Sequence, residues 1–445
     1  MKAVARYMLP AVFLLLSRTA LWGGELRFVP SLGVTEDMTD NANESATNKK
    51  SEFLTVIRPG VGINYLAPNS TLDLAYRLDY RNYLNGTSRD EFTHTMAVAG
   101  TIGVIGQFLK VDVSDTFSRV SIDVARDTTA ESSSYAQTDE NIVTVSPYLD
   151  WRFGEKSELK TGARYSDLRY WSADGIDRRE AGGFAEYTRQ LTPPLGLTLR
   201  YDYNRTRTEK LAFHDWTTGA TWFTPVTYYN NDVSAGLKYE YSDRSFLYGT
   251  AGYSWQHFSY RPGMQHYFWD AGITKQSDST LVALESKSRY AEDPISVSMR
   301  QITHSFRVER LLARGTAGGS VSYSKYEAAD TAGFGTDGIS ISAVGVPPEQ
   351  PGSLDREGVT IQLTGTRELS PRLTSSLTVT GDRISRRLAA DYPYHLYAIA
   401  TLNYLLGPRS TADLSYTYAA YRNHPGSGEG GVDVNRVVVQ FKRFF

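Results

Sequence analysis

The sequence predicts an all-β chain: a transmembrane, antiparallel up-and-down β-barrel of about 20 strands, with about 18 as the next count. Three observations point there. Apolar and polar residues alternate with period two from end to end, and a strand with one apolar and one charged face has two solvents to satisfy. The apolar faces run into tyrosines, of which the chain has 30, so amphipathic rings stand where an interfacial girdle belongs. Connections alternate between short and long, as periplasmic turns and external loops do in such barrels.

The N-terminus reads as a secretory signal over residues 1–24. Lys2 and Arg6 precede an apolar run from Tyr7 to Leu16, and Ala20, Gly23 and Gly24 are small enough for cleavage. That run contains Pro10 and is too short to cross ~30 Å of hydrocarbon as a helix. No other stretch reaches the ~18 apolar residues that a membrane helix needs. A closed barrel, which pairs every backbone group between neighbouring strands, is the remaining way through a membrane. Residues 25–445 are expected to form it alone, because Gly24 leads directly into Glu25-Leu26-Arg27-Phe28.

The alternation is plainest in four places. Leu72, Leu74, Tyr76, Leu78 and Tyr80 alternate with Asp73, Ala75, Arg77 and Asp79. Leu195 to Tyr203, Val233 to Tyr241 and Ala412 to Tyr418 repeat the pattern. Short connections fall at Ala67–Ser70, Gly106–Gln107, Gly154–Lys156, Thr192–Pro194, Asp243–Ser245, Gln276–Ser279, Ala313–Gly315, Ser370–Pro371 and Gly407–Arg409. Long ones cover Met38–Lys50, Val120–Thr138, Lys210–Tyr229, Asp330–Asp355 and Pro425–Gly430. An even strand count puts both termini in the periplasm. The longest connection, Ala329 to Glu357, is rich in Gly and Pro; it either folds inward, covers the mouth or stays exposed.

At the C-terminus, Val437, Val439 and Phe441 alternate towards Phe445. This resembles the assembly signal of outer-membrane barrels, although Arg443 stands where an apolar residue is usual. It implies the barrel-assembly machinery as a partner.

Little points to catalysis. With no cysteine, disulfides, thiolate zinc sites and thiol nucleophiles are excluded. Seven histidines (94, 214, 257, 266, 304, 395 and 424) show no metal-ligand spacing, so neither a metal nor a cofactor is expected. His257 with Ser259, or His304 with Ser305, are the pairs nearest to a hydrolytic arrangement, and a rim or lumen role suits them better. The stretch Asp37 to Glu44 is dense in oxygen ligands but lacks the spacing of a calcium hand, so a solvated loop is expected. Without the leader's Lys2, Arg6 and Arg18 the 47 basic residues fall to 44 against 49 acidic ones. That balance excludes nucleic acid as an expected partner.

The informative charges lie on strands. Arg77, Asp79, Arg81, Arg152, Lys160, Arg164, Arg200, Asp202, Lys238, Glu240, Arg300 and Arg367 alternate with apolar neighbours. A basic residue facing lipid near the midplane costs ~2–4 kcal/mol, so all twelve are expected to line the lumen. At about 20 strands, side chains alone do not fill the interior, and a pore follows unless a loop closes it.

The N-terminal region resembles a known family. Pro30-Ser31-Leu32-Gly33-Val34, Thr39-Asp40-Asn41, Ser51-Glu52-Phe53, Arg58-Pro59-Gly60 and the Tyr-rich strand through Tyr83 look like the outer-membrane barrels of exosortase (PEP-CTERM) and exopolysaccharide loci, a subset of the type-2 β-barrel porins. The likeness covers Pro30 to Tyr83 and implies an association with polysaccharide export, with periplasmic export proteins as partners beside membrane lipid and lipopolysaccharide. Three readings compete: a conduit for a secreted polysaccharide, a small-solute diffusion porin, and a structural or receptor barrel with a closed lumen.

Overall fold

The computed structural model describes residues 24–121, 137–171, 175–215, 221–259, 263–293, 296–328, 339–342, 356–386, 393–423 and 431–445. The expected signal peptide and most of the longest connection lie outside them. The described chain is a single antiparallel sheet of twenty long strands closed on itself, with one short extra strand.

In chain order the first strands are β1 (Glu25–Thr39), β2 (Glu52–Ala67), β3 (Ser70–Tyr83), β4 (Glu91–Ile105), β5 (Leu109–Ser121), β6 (Gln137–Arg152) and β7 (Ser157–Tyr170). Next come β8 (Arg178–Thr192), β9 (Leu195–Asp215), β10 (Thr221–Ser242), β11 (Ser245–Phe258), β12 (Met264–Gln276), β13 (Thr280–Asp293), β14 (Ser296–Leu312) and β15 (Gly315–Ala328). The remainder are the short β16 (Ile339–Ser342), β17 (Arg356–Ser370), β18 (Leu373–Arg386), β19 (Tyr394–Gly407), β20 (Ser410–Arg422) and β21 (Val432–Phe444). Each long strand pairs with the next, β15 passes directly to β17, and β21 returns to β1 through Ser31↔Phe444 to Thr39↔Arg436. Closure leaves no edge for a lipid to meet unpaired.

All nine short connections expected from the sequence lie at one end of this wall, together with both chain ends of the barrel. Their chemistry is local. Gly106 and Gly154 adopt φ of 52° and 72° in their turns, a left-handed conformation that glycine takes without a Cβ clash. Two prolines leave gaps in the ladder. Pairing of β2 with β3 skips Arg58 and Pro59, and pairing of β6 with β7 skips Ser146 and Pro147, because proline has no N–H to donate.

Following the register once around the wall returns to β1 displaced by about 26 residues, a shear that tilts the strands by roughly 40°. Twenty strands spaced at ~4.8 Å with that tilt enclose a backbone cylinder about 40 Å across. Directly opposed residues share a face, so the register sorts every side chain. The outer face carries a continuous apolar band, with Leu199, Leu237, Leu284, Ile361, Leu363 and Leu414 all exposed. Tyr201, Tyr203, Tyr239, Tyr241, Trp255 and Tyr267 edge that band, Tyr267 being 73% exposed. Such area left uncovered is the signature of a surface made for lipid.

β16 is not part of the wall. It pairs with the projecting end of β9, Ile339↔Asp215 to Ser342↔Ala212, six strand positions from β15, where its connection begins. The β1–β2 connection folds inward. Asn41 is fully buried, donates from Nδ2 to the carbonyls of Ser45 (2.9 Å) and Asp433 (3.0 Å), and accepts from the Ser45 N–H. Ala46 packs on a small apolar cluster of Ala419, Tyr421 and Val432 on the inner wall. The oxygen-rich residues Asp37, Asp40 and Asn41 therefore serve the fold: Asp37 pairs with Arg436, and Asp40 accepts from the N–H and the side-chain amide of Asn435.

Candidate pore lining

The inner face is polar and its charges are paired along the wall. On β2 and β3, Asp79 lies between Arg77 (2.9 Å) and Arg58 (3.5 Å). Arg81 is 3.9 Å from Glu91. On β5 to β7, Asp150 takes Lys110 at 3.1 Å and Arg152 at 3.7 Å, and Lys160 is 3.5 Å from Glu158. The densest group joins β7, β8 and β9. Arg200 donates to Asp202 (2.9 Å) and Glu186 (3.0 Å), while Arg164 lies 3.9 Å from Asp202. Lys238 and Glu240 pair at 2.7 Å on β10. Aromatic rings back some of these cations, Phe184 under Arg164 at 5.4 Å and Phe246 under Lys238 at 4.9 Å.

The spacing explains the pairing. Residues i and i+2 on one strand share a face, so Arg77-x-Asp79, Arg200-x-Asp202 and Lys238-x-Glu240 bring opposite charges together with no tertiary help. In a wetted lumen such pairs each contribute about 0–1 kcal/mol to stability. Their larger effect is electrostatic: each paired cation's field is cancelled within a few ångströms, so the charged part of the wall carries little net bias.

Ten of the twelve residues expected to line the lumen share this polar face. Arg300 and Arg367 do not. Arg300 is aligned with Ile302, His304 and Phe306 on the outer face; its guanidinium sits over the Trp269 ring at 5.9 Å, donates to Ser288 Oγ at 3.3 Å and lies 3.5 Å from Glu327. Arg367 is aligned with Leu363 and Leu377 at the short-turn end. Arg300 stands four residues from the long-connection end of β14 and Arg367 three residues from the short-turn end of β17, and an outward charge costs less towards the membrane interfaces than at the midplane.

Sequence reasoning missed Arg58, Lys110, Asp150 and Glu186, which complete the pairs, and Asp37 with Arg436, which bridge the β21–β1 seam. Their signal was present in the alternation, as with Lys110 beside Val111. Their partners come from neighbouring strands, and only the register identifies them. The hydrolytic pair His304–Ser305 fails on alternation: His304 shares the outer face with Phe306, and Ser305 points to the opposite face. At the C-terminus, Val437, Val439 and Phe441 face outward against Met38, Glu36 and Val34, and the Phe445 N–H donates to the Pro30 carbonyl at 2.9 Å.

No protein-family model matches the chain, and no curated protein matches it either. The exopolysaccharide-associated family therefore gains no support from these comparisons. Solved structures do match in fold. The FrpB iron transporter from Neisseria meningitidis (F5-1 variant, apoprotein form) aligns with a TM-score of 0.56 at 9% identity, over 94% of this chain and 81% of that one. The siderophore receptor PirA from Pseudomonas aeruginosa aligns at 0.53 and 11%, over 94% and 80%. The copper transporter OprC aligns at 0.52 and 11%, over 95% and 81%. At these identities the likeness is one of architecture, and the architecture is that of the closed antiparallel outer-membrane β-barrels.

Proposed function

We propose that the chain is an outer-membrane conduit for a hydrophilic solute and, more specifically, that it passes a polysaccharide outward. One observation carries the reading: a closed wall about 40 Å across between backbones has a polar inner face that side chains alone do not fill. Locally neutralised charges suit a long polar solute, because they offer hydrogen bonds without a strong electrostatic trap. The short-turn end, with both termini, faces the periplasm and its export proteins, and the apolar band sits in lipid below lipopolysaccharide. Residues 1–24 act as the signal that brings the chain there, and the C-terminal strand is read by the assembly machinery. The reading involves no catalytic step.

Diffusion of small solutes needs the same wall and separates from export only by the size of what passes. A receptor role is favoured by the inward-folded β1–β2 connection and by the buried inner-wall residues Thr206, Thr208, Val226 and Tyr228 near the mouth. Deleting the gene and measuring secreted polysaccharide and small-solute uptake together tests these readings. Loss of secretion with normal uptake is the expected result, and normal secretion overturns the export role. Planar-bilayer conductance of the purified barrel separates both conduit readings from the receptor.

A further inference from the structure

We infer that the cavity between the β1–β2 connection and the inner wall of β19, β20 and β21 is a saccharide subsite for a neutral, hydroxyl-rich sugar. Its place on a solute path rests on the conduit reading above; its chemistry stands on the cavity itself.

The cavity measures about 290 Å³, near the lower end of small-molecule sites and sufficient for a sugar ring. Tyr83, Tyr397 and Tyr421 line it beside the hydroxyls of Thr39, Ser415 and Thr417. The Tyr397 and Tyr421 rings meet edge to face at 5.9 Å, with their hydroxyls 3.3 Å apart. Rings for the C–H faces of a pyranose and hydroxyls for its edge are what such a ligand needs.

The decisive group is Glu44, held on the cavity's rim by a left-handed backbone (φ 46°). Its Oε2 is buried and has no hydrogen-bond partner. The other acids lining the cavity are already engaged. Asp37 pairs with Arg436, and Glu52 accepts from the N–H groups of Phe53, Asn85 and Thr87 and from the Thr87 hydroxyl. A desolvated carboxylate oxygen with an empty acceptor site calls for a hydroxyl donor. The same charge repels an acidic sugar.

The wall beyond the cavity has the same preference. Ser320, Ser322, Ser324, Thr360, Thr364 and Thr378 stand on the inner faces of β15, β17 and β18, and none of their side-chain hydroxyls has a protein hydrogen-bond partner among the described residues. Those faces and that of β19 carry no lysine or arginine among the described side chains. Charged pairs occupy the other side of the lumen; this side offers free hydroxyls.

The test is calorimetric titration of the folded full chain in detergent with maltoheptaose and with an oligogalacturonate of the same length. Maltoheptaose should bind at least about ten-fold more tightly, and Glu44→Asn, which suits a left-handed position, should weaken it by about ten-fold while migrating as folded on a gel. Thr47→Ala, on the same connection but outside the cavity, should bind as the parent does. Equal affinity for the two saccharides, no binding of maltoheptaose, or an unaltered Glu44→Asn overturns the subsite; so does a calcium titration whose heat vanishes in Glu44→Asn while the sugar's does not. Binding without bilayer conductance keeps the subsite and removes the conduit reading, and conductance without binding does the reverse.

Discussion

Replacing Asp37 by Asn should loosen the barrel at the seam where its two ends meet. β1 pairs with β2 from Glu25 to Thr39 but with β21 only from Ser31 onwards, so the closing ladder is the shorter of the two. Asp37 and Arg436 bridge it with side chains 7% and 16% exposed. Breaking a pair this far from solvent removes the guanidinium's charged partner across the seam and costs about 3–5 kcal/mol, with the lower figure suited to a wall that borders water. Asp37→Asn combined with Arg436→Gln removes both charges and lets two amides bond across the seam, so most of that loss should return. Urea titration of the barrel refolded in detergent, read by heat-modifiable migration, reports the difference. With a slope of about 3 kcal/mol/M or more, the single variant's midpoint should fall by up to ~1 M, and the double variant should recover at least half of it. A single variant that unfolds with the parent, or a double variant no better than the single, refutes the reasoning.

Other outcomes follow from the same geometry. Exchanging Arg77, Arg164 and Arg200 together for Gln removes three positive charges from the inner wall and leaves Asp202 and Glu186 without their arginines, so bilayer selectivity should move towards cations. That shift should be larger in 0.01 M than in 1 M salt, since screening shortens from ~30 Å to ~3 Å; a shift of the same size in both discards the wall-charge account. Cysteines at Leu199, Leu237, Leu414 and Arg300 should be alike in facing outward, but only the Arg300 site should react readily with a charged thiol reagent, because it lies near the long-connection end of β14. Glu52→Gln turns an amide N–H₂ towards the Thr87 N–H and should cost ~1–3 kcal/mol, seen as faster hydrogen exchange in residues 84–90. In that same connection Asp90 has its pKa lowered, chiefly by the Tyr83 N–H and then by Asn82. A depressed carboxyl stabilises the fold above its unfolded pKa and loses that contribution as pH falls through the folded one. Exchange protection at Tyr83 should therefore decline only below the ordinary carboxylate range, and Asp90→Asn should abolish this dependence.

The barrel was legible in the sequence because a strand spanning lipid writes its two solvents into alternate residues. Leu195 to Tyr203 and Val233 to Tyr241 carry that record without reference to any other strand, and turn residues such as Gly154 mark where the chain reverses. The strand count and all nine short turns followed. What alternation leaves open is which face is which near a strand end: Arg300 and Arg200 look alike in one dimension, yet one faces outward near the start of β14 and the other faces the lumen. Partnership is equally invisible, because Asp37 and Arg436 are neighbours only after twenty strands have closed, and Glu52 grips a connection that begins thirty-two residues later. The cavity beside Glu44 depends on that closure too, since its walls come from opposite ends of the chain. The sequence by itself determined the two faces of each strand, through the opposing demands of lipid and water. Only the tertiary structure decided which charges cancel, which arginines leave the lumen and where an unbonded carboxylate remains, because register and closure set those distances.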